Sequence, residues 1–521
     1  MRGRFAALSV AARPPSPAEP APPGPYGSGG RTQIIGRHPA GERVSDDASW
    51  ADVEFADADL GDRRLNRRIV RIAKSLAAAP KESIPTASDG LAETIAVYRF
   101  FDNEKVTLQK VLKPHAEQTR RRMRKHRVVL VAQDTTELDY TGCRNRNRDA
   151  GPMNRSPLQR GFYLHPSIAF TPEGVCLGTL HAKIWARDIE TFGTSRETVK
   201  RRPLEEKESY RWIEGWDVMT RAARACPETQ VINVSDRESD IHALLLKATR
   251  DPTPNAHFVI RQRDDRSLPQ RVDDPDSRAY RKVSSAFPEA AVLGTITIQT
   301  ARTKGAEARL ATVEIRSAAV VLKNPKLRRR DAETEVTVGV AWAVERDPPE
   351  GVDGIEWVLF TDLPCATLDE AVQVVEYYAG RWGIEVFFRV FKSGCEVEEL
   401  QLETQERLEP CLGLYLIVAW RILHLVMMGR QCPDLPCDVL LSESEWQSAW
   451  TIRKQTPPPA TPPPLGEMVA IIGSFGCHLG RKSDGPPGPK AIWIGLRRVI
   501  DFALAWNTFG PKSKRGEPPD G

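Results

Sequence analysis

Four side chains near the middle of the chain combine the residue types that hold a metal ion and bind phosphate. Within the segment VVEYYAGRWGIEVFFRVFKSG, they are Tyr378, Arg381, Glu385 and Lys392. On one continuous helix, at roughly 100° per residue, their spacing would bring all four within about 60° of one another. A carboxylate binds divalent cations, whereas arginine, lysine and tyrosine donate hydrogen bonds to phosphate oxygens. A solvated helix face with an Arg–Glu pair is the alternative interpretation.

Two aspartates upstream of these residues lie where buried strands are predicted to end. Asp134 follows the apolar run VVLVAQ, and Asp236 follows VINVS. Functional sites of α/β sheets gather at strand ends, so both aspartates and Glu385 are predicted to meet in one crevice. Three carboxylates can hold two Mg²⁺ ions about 3.5–4 Å apart, an arrangement that suits in-line displacement at a phosphodiester, and Mn²⁺ could substitute. Either aspartate could instead cap a turn or helix, and the nearby Asp240 and His242 are predicted to be structural.

The composition is that of a globular protein with room for two or three domains. The 521 residues are 40% hydrophobic and 27% charged, with a net charge of only +5. Basic residues are nonetheless clustered in RRRMRKHR, from Arg120, and KNPKLRRR, from Lys323, which favours contact with a polyanion. The nine cysteines form no disulfide or zinc pattern, which indicates a reducing compartment. The apolar run at 410–428 contains Arg421 and His424, so a buried helix is predicted rather than a membrane span.

The first part of the chain is predicted to bind nucleic acid. Residues 1–45, rich in Pro, Gly, Ala and Arg, are predicted to be a disordered tail. Residues 46–126 are predicted to be a basic helical domain that can lay a helix against DNA, with a plain helical cap on the next domain as the alternative. The second helix of this domain is predicted to follow Ser88 and to carry Leu91, Ile95 and Tyr98.

The centre of the chain predicts an α/β fold with the topology of a ribonuclease-H-like core. Residues 127–430 contain three predicted strands, a helix and a fourth strand, in that order. The alternating pattern of residues 251–350 predicts a β-rich insertion within this domain. A proline-rich linker (431–464), a C-terminal helical region (465–510) and a short tail (511–521) complete the predicted organisation.

These motifs resemble those of the DDE transposases of the insertion-sequence-four family, which includes the transposon-five transposase. The similarity rests on DTTELDY around Asp134, SDRESDIHA around Asp236, and the Y-(2)-R-(3)-E-(6)-K signature that begins at Tyr378. The segments WADVEFADADLGDRRLNRR, EKESYRW and LGRKSDGPPGPKAIWIGLRRVIDF add to it, so that the similarity spans residues 48–510.

The resemblance implies roles for individual residues. The metal-binding catalytic triad would be Asp134, Asp236 and Glu385. The residues in contact with DNA would be Tyr378, Arg381, Lys392, Arg261 and Trp357. Of these, Trp357 would stack on a flipped base at the hairpinned DNA end, and a core aromatic is the alternative interpretation of this residue.

The resemblance also implies a cut-and-paste reaction on double-stranded DNA. Its steps would be hydrolysis of a phosphodiester, hairpin formation, hairpin opening and strand transfer into target DNA. The DNA partners would be the terminal repeats of the element and the target, and the chain would form a homodimer through its C-terminal helices. The protein would act in the bacterial cytoplasm, associated with the nucleoid and with no membrane. The alternatives are an inactive or self-inhibitory DNA-binding remnant and a stand-alone nuclease of the same fold.

Overall fold

A computed structural model of the chain describes residues 9–10, 49–142, 147–153, 156–190, 192–193, 198, 201–274, 277–299, 309–326, 332–481 and 484–510. These residues group into two units, each built from separate stretches of the chain. The first unit comprises Met1–Glu42, Arg122–Leu130 and Ala223–Trp382, and the second comprises Arg43–Arg121, Val131–Ala222 and Gly383–Gly521. The tails predicted at 1–45 and 511–521 lie outside the described residues, except for Ser9 and Val10, and so does the end of the basic cluster KNPKLRRR.

The strands are β1 (Ser9–Val10), β2 (Val128–Gln133), β3 (Thr136–Asp139), β4 (Gly151–Met153), β5 (Ser156–Phe170), β6 (Cys176–Trp185), β7 (Gln230–Ser235), β8 (Ala256–Arg261), β9 (Ser267–Arg271), β10 (Tyr280–Lys282), β11 (Ala291–Gln299), β12 (Leu310–Leu322), β13 (Val336–Glu345) and β14 (Glu356–Thr361). The α-helices are α1 (Trp50–Glu54), α2 (Arg63–Ala78), α3 (Ile84–Ala87), α4 (Leu91–Phe101), α5 (Leu108–Met123), α6 (Arg211–Ala225), α7 (His242–Arg250), α8 (Val283–Ala286), α9 (Leu368–Gly380), α10 (Trp382–Arg389), α11 (Gln405–Gln431), α12 (Glu443–Lys454), α13 (Leu465–Phe475) and α14 (Pro489–Phe509).

The first unit is built on a sheet with a parallel pair and an antiparallel extension. Its strand order is β1-β11-β12-β13-β14-β8-β7-β2, and only the first half of β2 belongs to this unit. β7 and β8 run parallel, with Ser235 opposite Ile260. The helix α9 packs against β7, β8, β12, β13 and β14. The near-continuous apolar runs of β7 and β8 suit strands that are covered on both faces, as parallel strands are.

The β-rich insertion extends this same sheet. β11, β12, β13 and β14 pair in antiparallel succession, and β14 then pairs with β8. The predicted boundary of the insertion at residue 251 is therefore too early, because β8, counted as its first strand, pairs in parallel with β7 and belongs to the α/β part. The six-residue strand AHFVIR is too short for its periodicity to distinguish a strand of the α/β part from a strand of the insertion.

The second unit combines a smaller group of strands with a helical layer. β2, whose last three residues belong to this unit, neighbours β5, which also pairs with β3, β4 and β6. The helix α11 packs against β6 and against the helices α2, α4, α13 and α14. It is long and apolar enough to cross a membrane, but 89% of its most apolar window is buried within the protein, as expected of the core helix predicted at 410–428. Its Arg421 donates a hydrogen bond to Glu445 of α12 at 2.8 Å.

Two predictions about the helices of this unit are wrong in detail. Residues 431–464, predicted to be a linker, contain α12, which packs against α13 and α14. In α4, Leu91 is 76% and Ile95 42% exposed and Tyr98 is half-buried, whereas Phe100 and Phe101 are buried. The two large rings bury more apolar area than the predicted face would, so they determine which side of the helix turns inward.

Two side chains in the turn after β7 have structural partners. The carboxylate of Asp240, which is 1% exposed, accepts hydrogen bonds from Arg266 Nε at 2.6 Å and from the Arg263 N–H at 2.9 Å. His242 bonds through Nε2 with a backbone carbonyl oxygen at 2.7 Å, and burial lowers its pKa. These contacts fasten the turn after β7 to the chain that follows β8, in agreement with the structural role predicted for both residues.

Replacing Asp240 by alanine should destabilise the protein strongly, whereas Asp236→Ala should have a small effect. The first change leaves the nearly buried Arg266 guanidinium without a charged partner, which costs about 3–5 kcal/mol in the free energy of unfolding. The second removes one capping hydrogen bond from the Glu238 N–H, worth about 1 kcal/mol. Denaturant unfolding of both variants beside the unmodified protein measures the difference, and equal destabilisation would contradict the role assigned to Asp240.

Candidate active site

The three carboxylates predicted to bind metal are divided between the two units. Asp236 follows β7 in the first unit, whereas Asp134 follows β2 and Glu385 lies in α10, both in the second. All three side chains are half-buried. Within the part of the chain that the structure describes, no three His, Cys, Asp or Glu side chains form a preassembled metal-binding group. The donor chemistry fits Mg²⁺ or Mn²⁺, because both ions prefer carboxylate oxygens.

The parallel pairing of β7 and β8 sets two charged residues at neighbouring strand ends. Because Ser235 of β7 lies opposite Ile260 of β8, the residues that follow them on the two neighbouring strands are Asp236 and Arg261. The Asp236 carboxylate also accepts a hydrogen bond from the Glu238 N–H at 2.9 Å, which closes a short 3-10 turn. A carboxylate and a guanidinium group therefore occupy the sheet edge at which the sequence predicted a site.

Cationic and aromatic side chains surround Tyr378 in the first unit. Trp357 packs edge-on against its ring, with the ring centroids 5.0 Å apart. Arg261 is hydrogen-bonded to the Tyr378 hydroxyl and donates to a carbonyl of β14 at 3.0 Å. Burial lowers the pKa of Arg261, and the positive charges of Arg237 and Arg381 lower it further, while Tyr378 opposes the shift. Arg237 and Arg381 are near enough to Arg261 for their charges to lower its pKa, so the three guanidinium groups make this a site of positive potential, which favours a phosphate.

Exposure distinguishes the members of this cluster. Arg261, Arg381 and Tyr378 are buried, and Trp357 is only 4% exposed, so its ring is part of the core. Arg237 is exposed. No role was predicted for Arg237 from the sequence, although its position directly after Asp236 in SDRESD was the available signal.

The segment with the four spaced side chains is not one continuous α-helix. α9 ends at Gly380, and the Arg381 N–H bonds only three residues back, to Tyr378 O at 3.1 Å. After α10 the backbone continues as a π-helix, Val390–Gly394, which contains Lys392. The prediction of one uninterrupted helix is therefore wrong, and a uniform 100° per residue does not give the direction of Lys392, because a π-helix advances by a smaller angle per residue.

In the second unit, Lys392 reaches the segment that follows Asp134. Its Nζ donates to Glu137 O at 2.7 Å and pairs with the Glu398 carboxylate at 3.0 Å. Glu398 in turn accepts a hydrogen bond from the Asp139 N–H at 2.9 Å. The structure thus brings the lysine of the signature to β3, which begins two residues after Asp134.

A buried polar network adjoins Asp134, whose carboxylate accepts a hydrogen bond from the Thr135 N–H at 2.7 Å. The His165 ring lies 2.9 Å from Thr135 Oγ1 and 3.2 Å from Gln133 Oε1, and it bonds with the Asp134 backbone. Arg211 Nε donates to Thr135 Oγ1 at 2.9 Å. Burial, together with the charge of Arg211, holds the pKa of His165 well below its usual value, so the ring is neutral near pH 7. No role was predicted for His165 or Arg211 from the sequence, although the EKESYRW segment contains Arg211.

Three protein-family models match the chain in the order of its predicted domains. They are a transposase DNA-binding model at residues 47–106, a transposase DDE domain at 200–420 and a transposase Tn5 dimerisation domain at 417–508. The DDE match contains Asp236 and Glu385, and Asp134 precedes it.

Among solved structures, the chain is similar to one described as the cryo-EM structure of the piggyBac transposase synaptic complex with hairpin DNA. The sequence identity is 9%, the alignment covers 89% of this chain and 79% of that chain, and the TM-score is 0.34.

The family matches account for both flanks as well as for the centre of the chain. The first and last models show that the protein binds DNA and dimerises, and the central one shows a domain that cleaves DNA and transfers its strands with divalent metal ions. The chain therefore belongs to the DDE transposases of the transposon-five type.

Proposed function

We propose that the protein binds the terminal repeats of an insertion sequence and moves that element by Mg²⁺-dependent cut-and-paste transposition. One observation carries the proposal. Arg261 ends the strand next to the one that Asp236 follows, and it is hydrogen-bonded to Tyr378. Arg237 and Arg381 are near enough to Arg261 for their charges to lower its pKa. A phosphate drawn to these cations is held next to a carboxylate that can bind metal, which is the pairing that phosphodiester chemistry requires.

In this proposal Asp134, Asp236 and Glu385 are the metal ligands. Two bound Mg²⁺ ions, for which Mn²⁺ can substitute, would activate the attacking oxygen and stabilise the leaving oxygen. The contribution of the chain is to hold these carboxylates where neighbouring hydrogen bonds fix their rotamers. Asp134 and Asp236 both have such bonds, from the N–H groups of Thr135 and Glu238.

The proposed phosphate contacts are Tyr378, Arg381, Lys392 and Arg261. Arg261 and Arg381 are buried, so their attraction for phosphate is screened less by water than that of a surface arginine. Lys392 would exchange its bond to Glu137 O and its pairing with Glu398 for a phosphate oxygen when DNA binds. Such an exchange keeps the ammonium group partnered in both states.

We assign base stacking to Trp357. Its ring packs against Tyr378 and is almost fully covered, so this role requires DNA binding to uncover one face of the indole. An unstacked base at the cleaved end would then occupy that face, at a cost of a few kcal/mol for unstacking that the new contact offsets.

The remaining parts of the proposal concern the reaction sequence and its setting. Hydrolysis exposes a 3′-hydroxyl, which forms a hairpin on the opposite strand, and opening of the hairpin precedes transfer into target DNA. A homodimer would hold two element ends in a synaptic complex, in the bacterial cytoplasm at the nucleoid. The competing function, an inactive or self-inhibitory DNA-binding remnant, is opposed by the retention of both aspartate motifs and the complete signature.

Glu385→Ala should abolish metal-dependent nicking of a labelled duplex that carries the element's terminal repeat. Loss of a metal ligand should lower the nicking rate by at least about 100-fold, since even groups that only orient a ligand cost 10–100-fold. Glu406→Ala is the matched control, because it removes an exposed carboxylate of α11 with the same change in charge. Nicking and hairpin products are read on denaturing gels with Mg²⁺ or Mn²⁺.

The outcomes of that experiment separate the two functions. If the unmodified protein binds the repeat specifically but does not cleave it, the protein is an inactive DNA-binding remnant, and the proposal of an active transposase is contradicted. Cleavage that survives in Glu385→Ala would contradict the assigned ligand.

Arg237→Ala should weaken binding to duplex DNA without unfolding the protein, because the side chain is exposed. If Arg237 contacts one phosphate, the slope of log K against log salt concentration should become shallower by about 0.9. Fluorescence anisotropy in EDTA over a series of salt concentrations measures that slope. Lys490→Ala, which removes an exposed cation at the start of α14, serves as the control and should leave the slope unchanged. An unchanged slope in Arg237→Ala would remove this residue from the DNA contact.

A further inference from the structure

The His165 ring contacts three consecutive residues at the end of β2. It hydrogen-bonds with the side chain of Gln133, with the backbone of Asp134 and with the side chain of Thr135. The ring is buried and packs edge-on against Trp212, with centroids 4.5 Å apart, so it has little freedom to turn. One rigid side chain therefore limits the movement of the chain on both sides of Asp134.

Arg211 fixes this arrangement from the other side. Its Nε donates to Thr135 Oγ1 at 2.9 Å, and its Nη1 donates to Glu208 O at 2.7 Å. The guanidinium group lies over the rings of Trp185 and Trp212, 5.6 Å and 5.4 Å from their centroids. The Thr135 hydroxyl is thus shared by a cation that can only donate and by an imidazole ring.

The start of α6 is held against β2 and β5 by further contacts. Glu208 forms two hydrogen bonds with Arg187, at 2.5 and 2.6 Å, and Arg187 also donates to Tyr163 Oη at 2.9 Å. Burial alone would raise the pKa of the Glu208 carboxyl, but the hydrogen bonds and charge of Arg187 outweigh this and lower it. One turn into α6, a Cβ added at Gly215 would lie 1.8 Å from Gln133 Oε1, so the helix approaches the strand end as closely as glycine permits.

We infer that Thr135, His165 and Arg211 form a positioning network that holds the Asp134 carboxylate in its metal-binding orientation. This inference rests on the proposed role of Asp134 as a metal ligand, and it gives a function to the EKESYRW segment, which supplies Arg211. Thr135 connects the Asp134 carboxylate to the rest of the network. Its N–H donates to that carboxylate, while its hydroxyl is bonded to His165 and Arg211. A metal ligand displaced by even 0.5–1 Å loses much of its affinity, so groups that only orient it matter roughly 10–100-fold.

Thr135→Val tests the network, because valine keeps the branched shape and removes only the hydroxyl. Mn²⁺ is titrated into the full-length protein, and its effect on the unfolding temperature is recorded without DNA. In parallel, nicking of the repeat duplex is measured against Mn²⁺ concentration. Both half-maximal Mn²⁺ concentrations should rise about 10–100-fold in Thr135→Val. Thr135→Ser, which restores the hydroxyl, should return both to the values of the unmodified protein, and DNA affinity in EDTA should be the same in all three.

Controls separate this inference from the proposed function. Thr220→Val removes a buried hydroxyl of α6 that donates to Asp217 O within the same helix, and it should leave the Mn²⁺ requirement unchanged. Asp134→Ala should abolish the stabilisation by Mn²⁺. If Asp134→Ala retains it, the ligand assignment fails, whereas an unchanged requirement in Thr135→Val beside a defective Asp134→Ala overturns the network alone.

A second variant keeps the test decisive if Thr135→Val does not fold. Arg211→Lys keeps a positive charge near the two tryptophan rings but lacks the Nε donor and the planar fork. It should raise the Mn²⁺ requirement in the same way, and an unchanged requirement in a folded Arg211→Lys would overturn the inference.

Discussion

The burial of positive charge at a strand end is the constraint on which the site in the first unit depends. A guanidinium group taken out of water must have its donors satisfied, or it costs several kcal/mol. For Arg261, the hydroxyl of Tyr378 and a carbonyl of β14 accept hydrogen bonds, and both are neutral groups. These bonds satisfy donors of the guanidinium group and hold it at the strand end next to Tyr378. The packing of Trp357 on Tyr378 and of α9 on the sheet maintains this arrangement.

Two aspartates in one short motif have different surroundings, and these surroundings determine their different roles. In SDRESD, Asp240 is enclosed and bound to Arg266, so it fastens the turn. Asp236, four residues earlier, is half-buried at the end of β7, where an external cation can reach it. Arg266 pairs with Asp240 in this turn, whereas Arg261 is bonded to the Tyr378 hydroxyl and to a carbonyl of β14. The ion pair in the turn therefore stabilises the fold, whereas Asp236 is the residue of the motif to which we assign metal binding.

Features that depend on a single helix or strand could be predicted from the sequence. Features that depend on how one element packs against another could not. The order of strands and helices, the buried α11 and the strand-end positions of Asp134 and Asp236 follow from local apolar runs and caps. The buried face of α4 depends on which aromatic rings find partners, and the parallel partner of β8 depends on pairing across the sheet. The helix α12 was hidden by the surrounding prolines, although Ser442 and Glu445 form a capping box that gave a local signal.

The site shows the same division. The signature residues could be found from their types and spacing, but the π-helix at Lys392 removes the uniform rotation on which their shared face was based. The contacts of His165 and Arg211 with the chain around Asp134 join residues far apart in sequence, so no spacing rule reveals them.

The most direct test of the central claim asks whether one metal site includes all three carboxylates. Fe²⁺ bound in place of Mg²⁺ generates hydroxyl radicals with ascorbate and peroxide, and these cut the backbone beside the metal. The account predicts cuts near Asp134, Asp236 and Glu385 in the DNA-bound protein, all competed by Mg²⁺ and all lost in Glu385→Ala. Cuts confined to the neighbourhood of Asp236, or unchanged in Glu385→Ala, would contradict it.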